Sequence, residues 1–255
     1  MRKSLGLTLS LLAAPVWADW QVNMNKGVTS LSREIFDLHM LIFWICVAIG
    51  VAVFGVMFYS IFKHRKSKGA IAEHWHENTT VEVVWTVVPF VILIAMAVPA
   101  TATLMDMYDT SEADLDIKVT GYQWKWQYEY LDEDISFFSN MSTPREEILN
   151  DQAKNRHYLL EVDNPLVIPV NKKVRFLITA NDVIHSWWVP HFAVKKDAIP
   201  GFINESWVKV EEPGVYRGQC TELCGKDHGF MPVVVEVKSE ADYAKWLAEQ
   251  RAVVK

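Results

Sequence analysis

Residues 218–232 read Gly-Gln-Cys-Thr-Glu-Leu-Cys-Gly-Lys-Asp-His-Gly-Phe-Met-Pro, with thiols four positions apart, an imidazole four further on and a thioether three after that. The chain has 3 cysteines in 255 residues. Cys46 lies in a long apolar run, where a lone cysteine usually serves as a small buried hydrophobe. Cys220 and Cys224 are the pair with chemistry to offer, and three kinds are open to them. In an oxidising compartment they could form a disulfide. With His228 and an upstream imidazole, His185 of Asn-Asp-Val-Ile-His-Ser-Trp-Trp-Val-Pro, they make a tetrahedral zinc set that leaves Met231 no role. With Met231 included the set is soft, and cysteine, histidine and methionine on a β-barrel ligate electron-transfer copper. A mononuclear copper site usually uses one cysteine. Two cysteines bridging two coppers, with one histidine apiece, use every group, and Met231 and a loop carbonyl are left for the weak axial positions.

Such a loop needs a rigid scaffold, and the chain after about Asp109 has the texture of an all-β domain. Val-Thr-Gly-Tyr-Gln-Trp-Lys-Trp-Gln-Tyr-Glu-Tyr reads as one period-two strand with Tyr122, Trp124, Trp126, Tyr128 and Tyr130 on a single face. Short runs around residues 157–162, 166–170, 173–179, 205–210 and 231–237 follow, separated by Asp-Asn-Pro, Ile-Pro-Gly and Glu-Pro-Gly turn signals. This spacing predicts a sandwich or Greek-key barrel over residues 109–240. Pro144 to Arg156 reads as a polar insertion, and residues 241–255 switch to helical composition.

Upstream, Arg2 and Lys3 precede the apolar run Leu5 to Ala14, and Val16-Trp17-Ala18 offers a small residue at a cleavage position, so residues 1–18 read as a secretory signal peptide. Within residues 19–108, Leu38 to Phe62 has His39 as its only ionisable side chain and Val83 to Met105 has none. Both are long enough to span a bilayer, which takes about 20 residues, and helices are expected over about 35–62 and 82–107. The basic cluster Lys63-His64-Arg65-Lys66-Ser67-Lys68 between them marks the cytoplasmic side, leaving both ends of the hairpin outside. Pro89 and Pro99 inside the second span suggest packing against other membrane helices. The formal net charge is −6, and signal cleavage would remove two cations and no acid. An acidic exported protein argues against nucleic acid and for a basic partner.

The 218–232 segment, together with Asp-Val-Ile-His-Ser-Trp-Trp-Val-Pro, Gly-Tyr-Gln-Trp-Lys-Trp-Gln-Tyr-Glu-Tyr and Val-Glu-Val-Val-Trp-Thr-Val-Val-Pro, resembles subunit II of cytochrome c oxidase, of the haem-copper family, up to about residue 240. The resemblance implies a two-helix transmembrane hairpin followed by an all-β cupredoxin-like Greek-key barrel. It further implies that electrons pass from reduced cytochrome c through a dinuclear copper centre, CuA, to a haem in subunit I, where oxygen is reduced and protons are pumped. His185, Cys220, Cys224, His228 and Met231 match the side-chain ligands, and Glu222 the residue giving its carbonyl to copper. The Glu222 carboxylate is likewise implied as a ligand to magnesium at the subunit I interface. Trp124 matches the tryptophan where electrons enter, and Glu82 the acid at the mouth of a proton channel. Glu129, Asp132, Glu133, Asp134 and Asp182 fall where the family presents a negative face to cytochrome c. Trp187, Trp188, Phe230 and Met231 are expected to keep water off the copper. With no open coordination position, the chain alone is expected to carry electrons without reducing oxygen.

Plainer roles exist for several of these. Trp124 alternates with aromatics that look like core, an acid at Glu82 also favours the dipole of a helix starting there, and a charge run is usually a solvated surface. Of rival functions, a quinol oxidase subunit II needs no copper ligands, and a copper chaperone wants exposed, exchangeable ones. Without a Cys-x-x-Cys-His motif in the sequence, no haem is expected in this chain. His74-Trp75-His76 reads as a solvated or interfacial loop. The expected setting is a bacterial inner membrane, among other oxidase subunits and lipid, with the barrel and both termini on the periplasmic side.

Overall fold

The structure is a computed structural model that describes residues 23–72, 74 and 76–253. The expected signal peptide lies outside the described residues.

Two long helices come first. Helix α1 (Ser30–Lys63) starts at Thr29, whose hydroxyl accepts from the Ser32 amide while the Ser32 hydroxyl accepts from the Thr29 amide. This reciprocal cap satisfies donors that a helix start otherwise leaves unpaired. Helix α2 (Thr79–Tyr108) starts at Asn78, whose side chain accepts from the Val81 amide, and it carries Pro89 and Pro99 in its interior. Both helices begin before the apolar runs do, because the polar caps, not the first apolar residues, fix where helical backbone starts. Of 34 and 30 residues, they are long and apolar enough to cross a membrane. Their side chains are exposed along most of that length, as expected of surfaces made for lipid or for other helices.

The rest is a β-sandwich. Ten strands follow: β1 (Leu115–Tyr122), β2 (Lys125–Tyr130), β3 (Ile135–Ser139), β4 (Leu166–Pro169), β5 (Lys173–Ala180), β6 (His185–Val189), β7 (Val194–Ala198), β8 (Asn204–Lys209), β9 (Gly214–Cys220) and β10 (Pro232–Lys238). One sheet has the order β3-β2-β1-β5-β8 and the other β4-β10-β9-β6-β7. Parallel pairs β1·β5 and β4·β10 interrupt the antiparallel pattern, giving the crossed connections of a Greek key. Ile117, Val119, Trp126, Tyr128, Phe176 and Ile178 of the first sheet are buried, with Trp187, Val233 and Val235 of the second. The short helix α3 (Arg145–Ile148) falls in the polar insertion. Helix α4 (Glu240–Val253) packs Trp246 against Tyr130, ring centroids 5.3 Å apart.

The aromatic stretch 119–130 is two strands, not one. Tyr122 pairs with Lys125 in a hairpin whose turn is Gln123-Trp124. Trp126, Tyr128 and Tyr130 face the core as the alternation predicts. Tyr122 faces outward, its hydroxyl on the Gln127 amide oxygen at 3.0 Å. The turn is hidden in sequence because it contains no glycine, proline, asparagine or aspartate, the residues that normally mark one.

The hairpin helices are tied to both sheets. Near the start of α1, the Val28 amide donates to the His191 carbonyl at 3.0 Å, beyond β6, and Thr29 bridges to Val210, beyond β8. Arg33 pairs with Glu211. The Trp207 indole of β8 donates to the Asp106 carbonyl of α2 at 3.0 Å. Between the helices, the Thr103 hydroxyl donates to Glu34 at 2.8 Å.

Candidate metal centre

The second sheet supplies the site. His185 opens β6 and Cys220 closes β9, adjacent strands whose register sets Trp187 opposite Cys220. The loop from Thr221 to Met231 then leaves the sheet and returns, and the Cys220 amide donates to the Met231 carbonyl at 3.0 Å. That bond closes the loop at its base, and the excursion brings Cys224 beside Cys220 and His185, and His228 beside Cys224. Gly225 makes the sharpest part of it, with φ of +124°, a conformation L side chains rarely adopt. A methyl group there would also lie 3.0 Å from the Trp124 ring.

Four ligand-type atoms converge. The sulfurs of Cys220 and Cys224 are 3.8 Å apart and unjoined. His185 Nδ1 is 4.0 Å from the Cys220 sulfur and His228 Nδ1 is 3.5 Å from the Cys224 sulfur. The Cys220 thiol points at the Glu222 carbonyl at 3.4 Å. Exposure is 0% for His185, 3% for each cysteine and 1% for Met231, whereas His228 is half-buried.

The imidazole of His185 is oriented from behind. Its Nε2 lies 2.9 Å from Asp182 Oδ1, so donation to that carboxylate leaves the Nδ1 lone pair on the sulfur side. Carboxylate–imidazole pairs of this kind fix tautomer and ring orientation at metal sites. Burial alone would lower the His185 pKa, but Cys220 and Asp182 outweigh it and raise the group. Burial would raise Asp182, but the imidazole and the amides of Gln123 and Val183 hold it below the usual carboxylate range. The thiols divide. Against burial, His185 and the backbone at Ser186 and Glu222 pull Cys220 down, while burial and then the neighbouring Cys220 charge push Cys224 up.

These atoms suit a soft metal. Metal–thiolate bonds of about 2.3 Å let an ion reach both sulfurs across their 3.8 Å gap. Each imidazole presents Nδ1 beside a different sulfur. His185, Cys220 and Cys224 form a ligand cluster with atoms within 4.8 Å of one another.

Other residues singled out by the sequence fall in different places. Trp124, in the β1–β2 turn, covers the loop from the first sheet, its indole donating to the Cys224 carbonyl at 3.2 Å. Glu222 and Leu223 are exposed at the loop's outer edge. Asp182 is a partner of His185 first and a surface acid second. Asp132, Glu133 and Asp134 sit in the β2–β3 turn, at the opposite end of β2 from Trp124. Glu129 on β2 pairs with Lys118 at 3.0 Å, and Glu133 pairs with Arg251 of α4. The five acids are therefore not gathered around Trp124, and two of them are neutralised within the chain. Glu82, in the first turn of α2, accepts from the Asn78 amide at 3.2 Å and completes that helix's cap. Trp188, expected against the site, instead lines an outer cavity with Ile35, Leu104 and Pro190, because only alternate residues of β6 face inward.

Gly121 and Gln123 carry no signal in the sequence, yet both bear on the site. A methyl group at Gly121 would collide with His185, and the Gln123 side chain reaches the Cys224 carbonyl at 2.8 Å. Each acts across sheets on a partner far along the chain, which local spacing does not reveal.

The family described as "Cytochrome C oxidase subunit II, transmembrane domain" matches residues 17–102, and "Cytochrome C oxidase subunit II, periplasmic domain" matches residues 115–238. The probable cytochrome c oxidase subunit 2 of Rickettsia bellii is 41% identical over 92% of this chain and 86% of its own length. Cytochrome c oxidase subunit 2 of Cereibacter sphaeroides is 39% identical over 89% of this chain and 79% of its own length. Among solved structures, the periplasmic domain of subunit II of cytochrome oxidase of Bradyrhizobium japonicum is similar with a TM-score of 0.51 and 43% identity. That match covers 56% of this chain and 97% of that one.

Proposed function

This chain belongs to the cytochrome c oxidase subunit II family, and from that premise we propose that it is the subunit through which electrons enter the oxidase. In this reading the site holds the dinuclear CuA centre, with His185, Cys220, Cys224, His228 and Met231 as side-chain ligands and Glu222 as carbonyl ligand. The observation that carries it is the pair of buried, unjoined sulfurs 3.8 Å apart, each with its own imidazole Nδ1. Bound copper supplies a one-electron carrier whose charge is shared between two metals.

The chain's own residues do the rest. Burial of both cysteines and His185 keeps water from the site and limits how far ligands move when charge changes. Trp124 stands between the surface and the loop, its indole on the Cys224 carbonyl, so it is the residue we assign to electron arrival from cytochrome c. Asp182, next to this turn, is the acid best placed to steer a basic partner there. Asp132 and Asp134 extend the negative surface towards the far end of β2, while Glu129 and Glu133 are held in ion pairs with Lys118 and Arg251. Glu222, exposed beside the loop, has its carboxylate free to reach a magnesium ion at a subunit I interface. Glu82 is assigned to proton delivery at the cytoplasmic end of α2, together with its capping role. The basic cluster Lys63–Lys68 between the helices supports a cytoplasmic turn of the hairpin, and with it the sandwich on the periplasmic side of the bacterial inner membrane we propose as the setting.

A copper chaperone is disfavoured by the same burial, since exchangeable ligands must be open to the recipient. A zinc site is disfavoured by Met231, a buried residue whose carbonyl closes the base of the loop and whose thioether has no place in a zinc set. The deciding experiment is copper content with electron paramagnetic resonance on the full chain in detergent. Two coppers sharing one delocalised unpaired electron are expected, with no oxygen consumed in the absence of subunit I. A single copper with a mononuclear spectrum, or rapid loss of copper to a mild chelator, would overturn the reading.

A further inference from the structure

We propose that Gln123 is a positioning residue for the metal centre, holding the His185 and Cys224 arms of the site in fixed relation from the opposite sheet. Three hydrogen bonds support this. The Gln123 amide donates to Asp182 Oδ2 at 2.8 Å. The other oxygen of Asp182 accepts from His185 Nε2 at 2.9 Å. The Gln123 side-chain Nε2 donates to the Cys224 carbonyl at 2.8 Å. One turn residue of the first sheet is thus linked to ligands on two separate segments of the second, His185 on β6 and Cys224 in the loop between β9 and β10.

Gln123 as a whole is exposed. A glutamine at an exposed turn ordinarily gives its amides to water, yet this one turns its backbone N–H to Asp182 and its side-chain N–H to Cys224. Trp124 donates to the same Cys224 carbonyl, so that oxygen accepts two side-chain donors from one turn. The carbonyl cannot rotate without breaking both, and Cys224 is thereby held at its distance from Cys220. Outer-shell bonds of this kind change metal affinity by about 10–100-fold when removed.

The inference rests on the copper reading above, and the test separates the two. Gln123→Met removes the side-chain donor at similar length, Gln123→Lys restores an N–H donor, and neither touches the backbone bond to Asp182. In the copper-loaded full chain, Gln123→Met is expected to release copper to a chelator about tenfold faster, with a changed hyperfine pattern, and Gln123→Lys to recover part of both. In the chain before copper loading, amide exchange across residues 221–227 should rise about tenfold in Gln123→Met, the factor one hydrogen bond supports. Unchanged exchange, together with an unchanged spectrum and release rate, would overturn the role of Gln123. If the parent chain shows no two-copper signal, the copper reading falls, and the exchange data alone still decide for or against Gln123.

Discussion

Gly121 and His185 are packed so closely that a methyl group on the glycine α-carbon would lie 2.8 Å from the imidazole Cδ2 and 3.0 Å from its Cγ. The ring is fully buried and has Trp126 on another side, ring centroids 6.0 Å apart. Gly121→Ala must therefore displace a ligand or the strand beneath it. We expect a folded chain destabilised by about 1–3 kcal/mol, the usual result of overpacking, with an altered copper spectrum. A spectrum identical to the parent's would show that His185 has room to spare.

Asp182 separates two roles. If it positions His185, Asp182→Ala should weaken copper binding by about 10–100-fold, and Asp182→Asn, which keeps an acceptor oxygen, should weaken it less. If it serves only to attract cytochrome c, both variants leave copper affinity intact and change only the salt-dependent association rate. Copper titration of the two variants distinguishes these outcomes.

Removing ligands should have graded effects. If the site holds the two coppers we propose, Cys220→Ser or Cys224→Ser takes away a sulfur they would share, and the two-copper signal should disappear. Met231→Leu keeps the volume of a buried side chain and removes only the thioether we propose as a weak ligand, so copper content should stay at two while the reduction potential shifts. Loss of all copper in Met231→Leu would mean that the thioether holds the loop together.

The sandwich should weaken in alkali. Burial raises the pKa of Tyr128 and Tyr130, and pushes Tyr243 up to about 12. These phenols stay neutral in the fold and ionise near about pH 10 when unfolded. Their contribution is fully present below about pH 10 and is lost as pH rises towards the folded values. The urea midpoint, followed by tryptophan fluorescence, should begin to fall at about pH 10 and continue falling above it. Tyr128→Phe, whose hydroxyl has only a 3.4 Å contact with the Trp187 indole, should reduce that fall.

Much of the candidate site was legible because it is local. Cys220, Cys224, His228 and Met231 lie within twelve positions on one loop, so their residue types and spacing already describe a ligand set. The membrane helices were legible from length and apolarity, although Thr29 and Asn78 start them earlier than the apolar runs suggest. What stayed hidden depends on contacts between sheets. The turn at Gln123-Trp124 carries no turn residue, so Trp124 reads as core when it is the cover of the loop. Asp182 reads as surface charge because its partner is visible only once β6 has fixed the direction of His185. The acids at 132–134 look contiguous with Trp124 in sequence, but a strand's length separates them in space.

The attachment of α1 and α2 to both sheets has a mechanical consequence. A sandwich fastened through one sheet can pivot about that line. Here Val28 holds the edge beyond β6, while Arg33 and Asp106 hold the end of the other sheet through Glu211 and Trp207. Fastenings to both sheets oppose such a pivot, so the hairpin acts as a mounting bracket for the sandwich that carries the Cys220–Cys224 pair.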